Sequence, residues 1–429
     1  MRVVIHGSEL SAATAAAALA WVGHHVIWRP LGSRWQELRH SGWLQGEPMV
    51  GQRLDEALAS GHLKIDENGP LPKASVDVLW LALSPRQRDE APSLVEAEAE
   101  CLSEGAILIN NATFPVGDTE RLEALLADRG VAAVALPDIL EEGRAWETFT
   151  RARRWLLGCD DQRAEHQVRE LMRAFNRRHE VFQRMPKRAA ELTKLAINGM
   201  LATRISYMNE MAGLADTLGV DVEYVRQGMG ADPRIGYEYL YPGCGFGGPN
   251  FSRDLVGLAD VQSASGRHSD LLDQVLEINE RKKETLFRKL WAYHHGRLEG
   301  LKVAIWGAAF KPGTARIDQA PVLPLLRALW AQGVHVYLHD PVALPAVREV
   351  VGDHPLLTLC QGEPIEACQQ VDALMLVTEW KAYWNPDWEA LKTGVSGRLI
   401  LDGRNIYDPD YVASQGFVYR GIGRRADPQ

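Results

Sequence analysis

The 429-residue chain has only five cysteines, Cys101, Cys159, Cys244, Cys360 and Cys368, with no CxxC pair among them. That scatter excludes a thiol-rich metal site and a disulfide framework, and it reads as reduced thiols in a cytoplasmic protein. No metal is expected. There is also no apolar run of the roughly 18 residues or more that a membrane span takes, so no membrane partner is expected. The opening MRVVIHGSEL carries one Arg and then a short β-branched run. That suits a first strand and not a signal peptide. Basic residues are in deficit, 47 Lys and Arg against 56 Asp and Glu, for a formal net charge of -9. A nucleic-acid partner would need a basic face, so that class is set aside. An anionic small ligand is not, because a few local cations can hold a phosphate. Short-period repeats and low-complexity tails are missing too.

What is present is an ordinary globular balance, 46% hydrophobic and 24% charged. The length exceeds one core, so two or three domains are expected. The 13 Trp are many for this length and read as core and interface filling. Strand-like runs at 3–6 and 24–28 flank a glycine turn at Gly7 and an Ala-rich helix at 12–22. This is a βαβ unit. Continuous apolar runs at 76–83, 106–110 and 131–136 suit buried parallel strands. The first domain is placed at 1–185. Helical periodicity without Pro marks 188–218, and a second helical run covers 269–295. Between them lies the Gly-rich YPGCGFGGPN at 241–250. This central helical domain, 186–297, is expected to carry a dimer contact. Strand runs at 301–307, 334–341, 371–378 and 398–405 restart the first pattern over 298–429. The fold class expected is α/β, with two Rossmann-like doubly wound parallel-sheet domains joined by the central helices.

Eight motifs stand in a recognisable order: LPDILEEG at 136–143, ELTKLAIN at 191–198, ISYMNE at 205–210, DPRIG at 232–236, AFKP at 309–312, TEW at 378–380, DGRN at 402–405 and YRGIGR at 419–424. In this order and spacing the chain resembles the UDP-glucose/GDP-mannose dehydrogenase family over almost its whole length. The resemblance implies an NAD-binding domain, a helical dimerisation domain and a UDP-binding domain. It also implies two successive oxidations of a sugar C6 alcohol, with two NAD and one water, and a homodimer. The biological setting it implies is polysaccharide synthesis.

The first hydride transfer needs a base and groups that hold charge developing on oxygen. Lys194 and Asn198 are four apart and share a helix face. By resemblance they are that oxyanion pair. Glu142 is by resemblance the carboxylate that handles protons and water, beside Asp138. Thr113 matches a threonine near the reacting carbon, and Asp254 an acid that positions water. Ile139 and Leu140 match residues along the substrate. Gly245 and Gly247 would let backbone N–H groups approach a UDP-sugar, and Arg234 and Arg404 would supply cations. Lys311 is the retained Lys of AFKP and is assigned to the cofactor.

Three sites depart from the family. Its loop GG-x-C-F-x-K-D reads GGPNFSRD at 247–254, so Asn250 stands where the nucleophilic Cys should be. A thiolate can form a thiohemiacetal with the intermediate aldehyde, and an amide cannot. Cys244 lies six residues earlier, at a position matching a non-catalytic residue. The GxGxxG turn aligns with Gly7, Ser8, Glu9, Leu10, Ser11 and Ala12. The second glycine exists so that the pyrophosphate can approach the backbone. Glu9 puts a negative side chain there, and two like charges about 4 Å apart repel by roughly 4 kcal/mol at an effective dielectric near 20. The acid that should bind the adenosine ribose aligns with Pro30, next to Arg29, which could read a 2′-phosphate. The third departure is Asp318, where the family has an Arg, although Arg316 lies two residues before it. Two readings follow. One is a nucleotide-sugar dehydrogenase whose second, cysteine-dependent oxidation is impaired and whose NAD site is weakened or lost. The other is a non-catalytic member that binds a nucleotide sugar or an active relative as a regulatory or scaffold subunit. A different chemistry on the same sugar, such as epimerisation, would inherit the same doubt about NAD.

Overall fold

The computed structural model describes residues 1–429 except 33, 34, 40–43, 45, 67, 68, 178, 179 and 429. Its contacts divide the chain into two compact units, Met1–Ile197 and Asn198–Gln429.

In the first unit the five apolar runs become strands Arg2–His6 (β1), His25–Arg29 (β2), Val76–Leu81 (β4), Leu102–Asn110 (β5) and Ala132–Ala135 (β6), and three strands that the sequence reading did not mark join them, Leu63–Ile65 (β3), Trp155–Gly158 (β7) and Phe182–Met185 (β8). They form one sheet in the order β3-β2-β1-β4-β5-β6-β7-β8. The pairings are parallel except β6 with β7. The order reverses between β1 and β4, the place where such sheets open a crevice for ligands. Both faces are covered, which is why these strands are apolar at nearly every position. Val3 and Ile5 face the core under the helix Leu10–Trp21, and Val4, Leu79 and Leu108 face the opposite one. The small Ala side chains let that helix lie close to the sheet, and Ala12, Ala13 and Ala15 to Ala18 are fully buried. Gly7 makes the turn possible: its φ is +143, and a Cβ there would lie 2.2 Å from the carbonyl oxygen of Ala82. Buried Trp28 closes the turn by donating from Nε1 to the Gly7 carbonyl at 2.8 Å.

The second unit contains strands Lys302–Trp306 (β9), His335–His339 (β10), Leu357–Cys360 (β11), Val371–Leu376 (β12), Val395–Asp402 (β13), Val418–Gly421 (β14) and Arg425–Ala426 (β15). Their order, β11-β10-β9-β12-β13-β14-β15, repeats the first pattern. Only the β14–β15 pairing is antiparallel among the described residues. Asp340, just past β10, stands where a dinucleotide-binding sheet would offer a carboxylate to ribose. Here it is consumed: it accepts from the backbone N–H groups of Ala308, Ala309, Val342 and Ala343 and from Trp380 Nε1.

The helices of the second unit share the core of this sheet, with Met208, Ala212 and Leu286 packed in one cluster with Val303 and Ile305. The helix Lys187–Leu218 runs 32 residues, as its period predicts. The run expected as one helix over 269–295 is two, Asp270–Lys282 and Thr285–Tyr293. The break follows Asn279, whose buried amide is used on both sides by the backbone of Phe246. The intervening Lys283 is buried and pairs with Glu280 at 2.6 Å.

Candidate active site

The backbone N–H groups of the Gly-rich stretch are held by four residues distant in sequence. Gly243 N–H donates to Asn209 Oδ1 at 2.7 Å, Cys244 N–H to the Gly403 carbonyl at 2.9 Å, Phe246 N–H to Asn279 Oδ1 at 2.8 Å, and Gly248 N–H to the Asp318 carbonyl at 2.7 Å. Gly245 has φ +92, and a Cβ on Gly247 would lie 2.8 Å from the Gln319 carbonyl oxygen. Gly247 therefore serves close packing of the loop, whereas Gly245 lines a cavity of about 240 Å³ with Ile205, Asn209, Tyr239, Phe246 and Arg404. A pocket for a drug-sized ligand takes roughly 300–1,000 Å³, so this one suits one end of a larger molecule.

Two buried donors on that lining have no partner among the described residues. Asn209 spends Oδ1 on Gly243 and leaves Nδ2 unpaired. Arg404 donates from Nε to the Val377 carbonyl at 2.7 Å and from Nη1 to the Gly245 carbonyl at 3.2 Å, and leaves Nη2 unpaired. A buried donor without an acceptor costs roughly 1–3 kcal/mol, and more when charged. The pair marks a place for a ligand rich in acceptors. Asn209 was not singled out in the sequence. The signal for it was its place in the ISYMNE motif at 205–210. Arg234, expected as a second cation, does not line the cavity. It is 86% exposed and pairs with Asp232 at 2.6 Å, because two residues of separation let that carboxylate claim it first.

The helix Phe251–Ala264 starts at Asn250, which is exposed and makes no side-chain cap. Asn250 Oδ1 accepts from Arg253 Nη2 at 3.1 Å. Asp254 is buried. It accepts from Asn198 Nδ2 at 2.5 Å and from Arg253 Nε and Nη2 at 3.1 and 3.0 Å. Asn198 and Asp254, which the sequence assigned to one site, are thus in contact. Cys244, the nearest cysteine in the loop, is buried. It is 1% exposed and its Sγ faces the Val377 carbonyl at 3.9 Å. Burial pushes its thiol up, with Arg404 pulling weakly the other way. Lys311 belongs to this unit, with its ammonium 5.6 Å from the Phe310 ring, and Phe310 in turn covers Gly248.

In the first unit the two loops expected to carry chemistry are each tied down by a buried carboxylate. Glu47 accepts from the N–H groups of Gly143 and Ala145, fixing the end of LPDILEEG. Within that loop Asp138 accepts from Ser11 Oγ, on the helix after the glycine turn, and from Leu140 N–H at 2.8 Å. Ile139 and Leu140 pack against the sheet core, and Glu142 is half-buried. Glu191 accepts from Gly117 N–H at 2.6 Å, Thr119 N–H at 2.9 Å and Thr119 Oγ1 at 2.6 Å. These bonds order the end of the loop that carries half-buried Thr113. Lys194 is half-buried and has no ion pair among the described residues.

Glu191 makes a checkable case. Burial raises its carboxyl above the usual range, with the N–H donors of Gly117 and Thr119 pulling it down less strongly. A raised carboxyl binds its proton more tightly in the folded state. Its contribution to stability is therefore full at acid pH and is lost as pH rises through the folded value. Glu191→Gln should flatten that fall in denaturant titrations run from pH 4.5 upward. Glu191→Ala should cost about 2–4 kcal/mol, because two buried N–H groups lose their acceptor. An unchanged melting curve in Glu191→Ala would refute this role.

At the glycine turn Leu10 and Ala12 are buried. Glu9 lies in extended conformation at the start of the helix, with φ -108 and ψ -178 and no side-chain cap. Pro30 is buried and offers no polar side-chain atom. Arg29, considered from sequence as a 2′-phosphate reader, is not free for one. It donates to Glu98, to Asp66 Oδ2 at 3.1 Å and to the Gly69 carbonyl. Among the described residues no group of His, Cys, Asp and Glu is placed to hold a metal, and no helix is long and apolar enough to cross a membrane.

Two sheets of Rossmann order with a ligand cavity beside the Gly-rich loop define a fold of the nucleotide-sugar dehydrogenase class. Residues 188–281 match the central domain of the UDP-glucose/GDP-mannose dehydrogenase family, and 304–409 match its UDP binding domain. The UDP-glucose 6-dehydrogenase of Pseudomonas aeruginosa is 38% identical over 99% of this chain and 98% of its own length. That of Rhizobium meliloti is 31% identical over 88% of this chain and 89% of its own. The structure of a UDP-glucose dehydrogenase from Pyrobaculum islandicum superposes with a TM-score of 0.84 at 27% identity, covering 98% of this chain and 97% of that one. The chain belongs to the UDP-glucose/GDP-mannose dehydrogenase family.

Proposed function

We propose that this protein binds a UDP-sugar of the kind UDP-glucose 6-dehydrogenases act on, and that any oxidation it performs stops before the acid. The observation that carries the binding half is the pair of unpartnered buried donors, Asn209 Nδ2 and Arg404 Nη2, on one cavity. They suit the acceptor-rich nucleotide end of such a ligand. Lys194 and Asn198 are then the groups that hold charge on the sugar oxygen, Glu142 and Asp138 the carboxylates for proton and water, and Thr113 a contact near the reacting carbon. Ile139 and Leu140 take the substrate-side places that the family assigns them. The missing half rests on Asn250, which has no nucleophile to offer, and on Cys244, which is buried. The second reading, a non-catalytic subunit that holds the nucleotide sugar or an active relative, is favoured by Glu9 and Pro30 at the NAD turn.

Titration calorimetry with UDP and UDP-glucose, followed by mass analysis of UDP-glucose incubated with NAD, tests this. Binding of both nucleotides without UDP-glucuronate is expected. Formation of UDP-glucuronate, with two NADH per sugar, would overturn the claim about Asn250.

A homodimer is part of the same proposal. The helix Lys187–Leu218 exposes Met200, Tyr207 and Leu214 at seven-residue spacing, 61%, 51% and 50% exposed. Such a stripe is costly to leave in water and suits a facing helix. Tyr207→Glu with Leu214→Glu should convert the dimer to monomer in sedimentation velocity. A wild-type protein that sediments as a monomer would refute it.

A further inference from the structure

We infer that the first unit has exchanged adenosine-ribose recognition for an internal charge network, so that it takes neither NAD nor NADP tightly and does not read the ribose 2′ group. The inference is independent of the UDP-sugar reading, which concerns the second unit.

The ribose of a dinucleotide sits beyond the carboxyl end of the second strand of such a sheet, against an acid placed there. In this chain that position is Pro30, buried and without an acceptor. The strand ends instead in Arg29, whose side chain is 12% exposed. Its guanidinium bridges Glu98, 4% exposed, and Asp66, just past the neighbouring strand β3, and also reaches the Gly69 carbonyl. Asp66 in turn accepts from Gly69 N–H at 2.8 Å. From the end of β1, His6 Nε2 lies 3.0 Å from Glu98 Oε1, and Cys101 Sγ lies 3.2 Å from Glu98 Oε2. The carboxyl ends of β1, β2 and β3 are thus linked by protein groups alone.

Burial would raise the Glu98 carboxyl, but the bonds from His6 and Cys101 and the charge of Arg29 outweigh it and hold it below its usual range, so it stays an acceptor for Arg29. At the start of the helix Leu10–Trp21, Glu9 stands where the family keeps glycine so that phosphates can approach the backbone. Arg29 cannot be recruited by a 2′-phosphate without taking its guanidinium away from the buried Glu98 carboxylate, a costly change.

The test is calorimetric titration of NAD and of NADP into the full chain, with UDP titrated in parallel. Kd values above about 1 mM for both dinucleotides, equal within about threefold, are expected. A Kd below about 100 μM for either, or a tenfold preference, would overturn the inference. The isosteric pair Glu98→Gln and Asp66→Asn frees Arg29 while keeping its contacts neutral. It should gain at least about tenfold for NADP over NAD. A folded variant without that gain would show that Arg29 does not face the ribose position, and it would overturn the assignment to this network. If the variant does not fold, the wild-type titrations still decide. Loss of UDP binding alone would sink the reading of the second unit and leave this one standing.

Discussion

Arg404→Met is expected to weaken UDP binding by about a hundredfold, with the fold intact. The side chain is largely buried, and two of its donors serve the protein through the carbonyls of Val377 and Gly245. The third, Nη2, has no partner among the described residues and lies on the cavity lining. A charge-assisted hydrogen bond contributes about 1.5–3 kcal/mol, and a hundredfold corresponds to about 2.7 kcal/mol. Methionine keeps much of the stem volume and removes all three donors. Its cost to stability should be smaller than its cost to binding, because the carbonyls it abandons are weaker acceptors than a phosphate. Glu379, 3.3 Å from Arg404 Nε, loses its countercharge but is about one-third exposed and can turn to water. Calorimetry of UDP with the variant, alongside circular dichroism, reads both. Affinity within threefold of wild type would mean that the cavity beside Gly245 is not the nucleotide site.

Asn250→Cys should create a thiol that reacts with Ellman's reagent at pH 7 at least about 100-fold faster than any native cysteine. The position is exposed and begins the helix Phe251–Ala264, where unpaired N–H groups and the helix dipole favour an anion. Arg253 Nη2 already touches the Asn250 side chain at 3.1 Å and would sit beside a thiolate. The native cysteines are poor competitors. Cys159 and Cys244 are buried, and burial holds their thiols up. Cys101 is pushed up to about 12, first by burial and then by Glu98. Cys368 is buried and Cys360 half-buried, and both are raised by burial. One fast equivalent in the variant and none in the native wild type is the expected titration. A slow thiol in the Asn250→Cys variant would mean that this helix start does not activate a nucleophile, and that more than one residue has been lost. The variant would not by itself restore formation of the acid if Glu9, Pro30 and the Arg29 network exclude the dinucleotide.

Much of this could be read from local sequence. Buried parallel strands must be apolar on both faces, so the runs around Val4, Leu79 and Leu108 declared themselves. The glycine at position 7 announced a turn that no other residue could make, and the Ala-rich stretch after it announced a helix pressed on a sheet. The missing thiol at Asn250 was visible because the flanking GGPNFSRD kept its register. Misjudged features involved partners far apart in the chain. Arg29 looked like a free cation because nothing nearby in sequence claims it, whereas Glu98 claims it across 69 residues.

The sequence by itself determined the central strands of each sheet, the long helix before the Gly-rich loop, the glycine turns, the family and the absence of a nucleophile at position 250. Each of these depends on residue type and on spacing within one segment. Only the tertiary structure decided which polar groups are spent and which are left over. Asn209 and Gly243 are brought together to leave one amide hydrogen pair unused, Glu47 and Glu191 are brought under distant loops, and Arg29 is folded between Glu98 and Asp66. Donors and acceptors cancel in pairs set by packing, and no local pattern in the chain encodes those pairs.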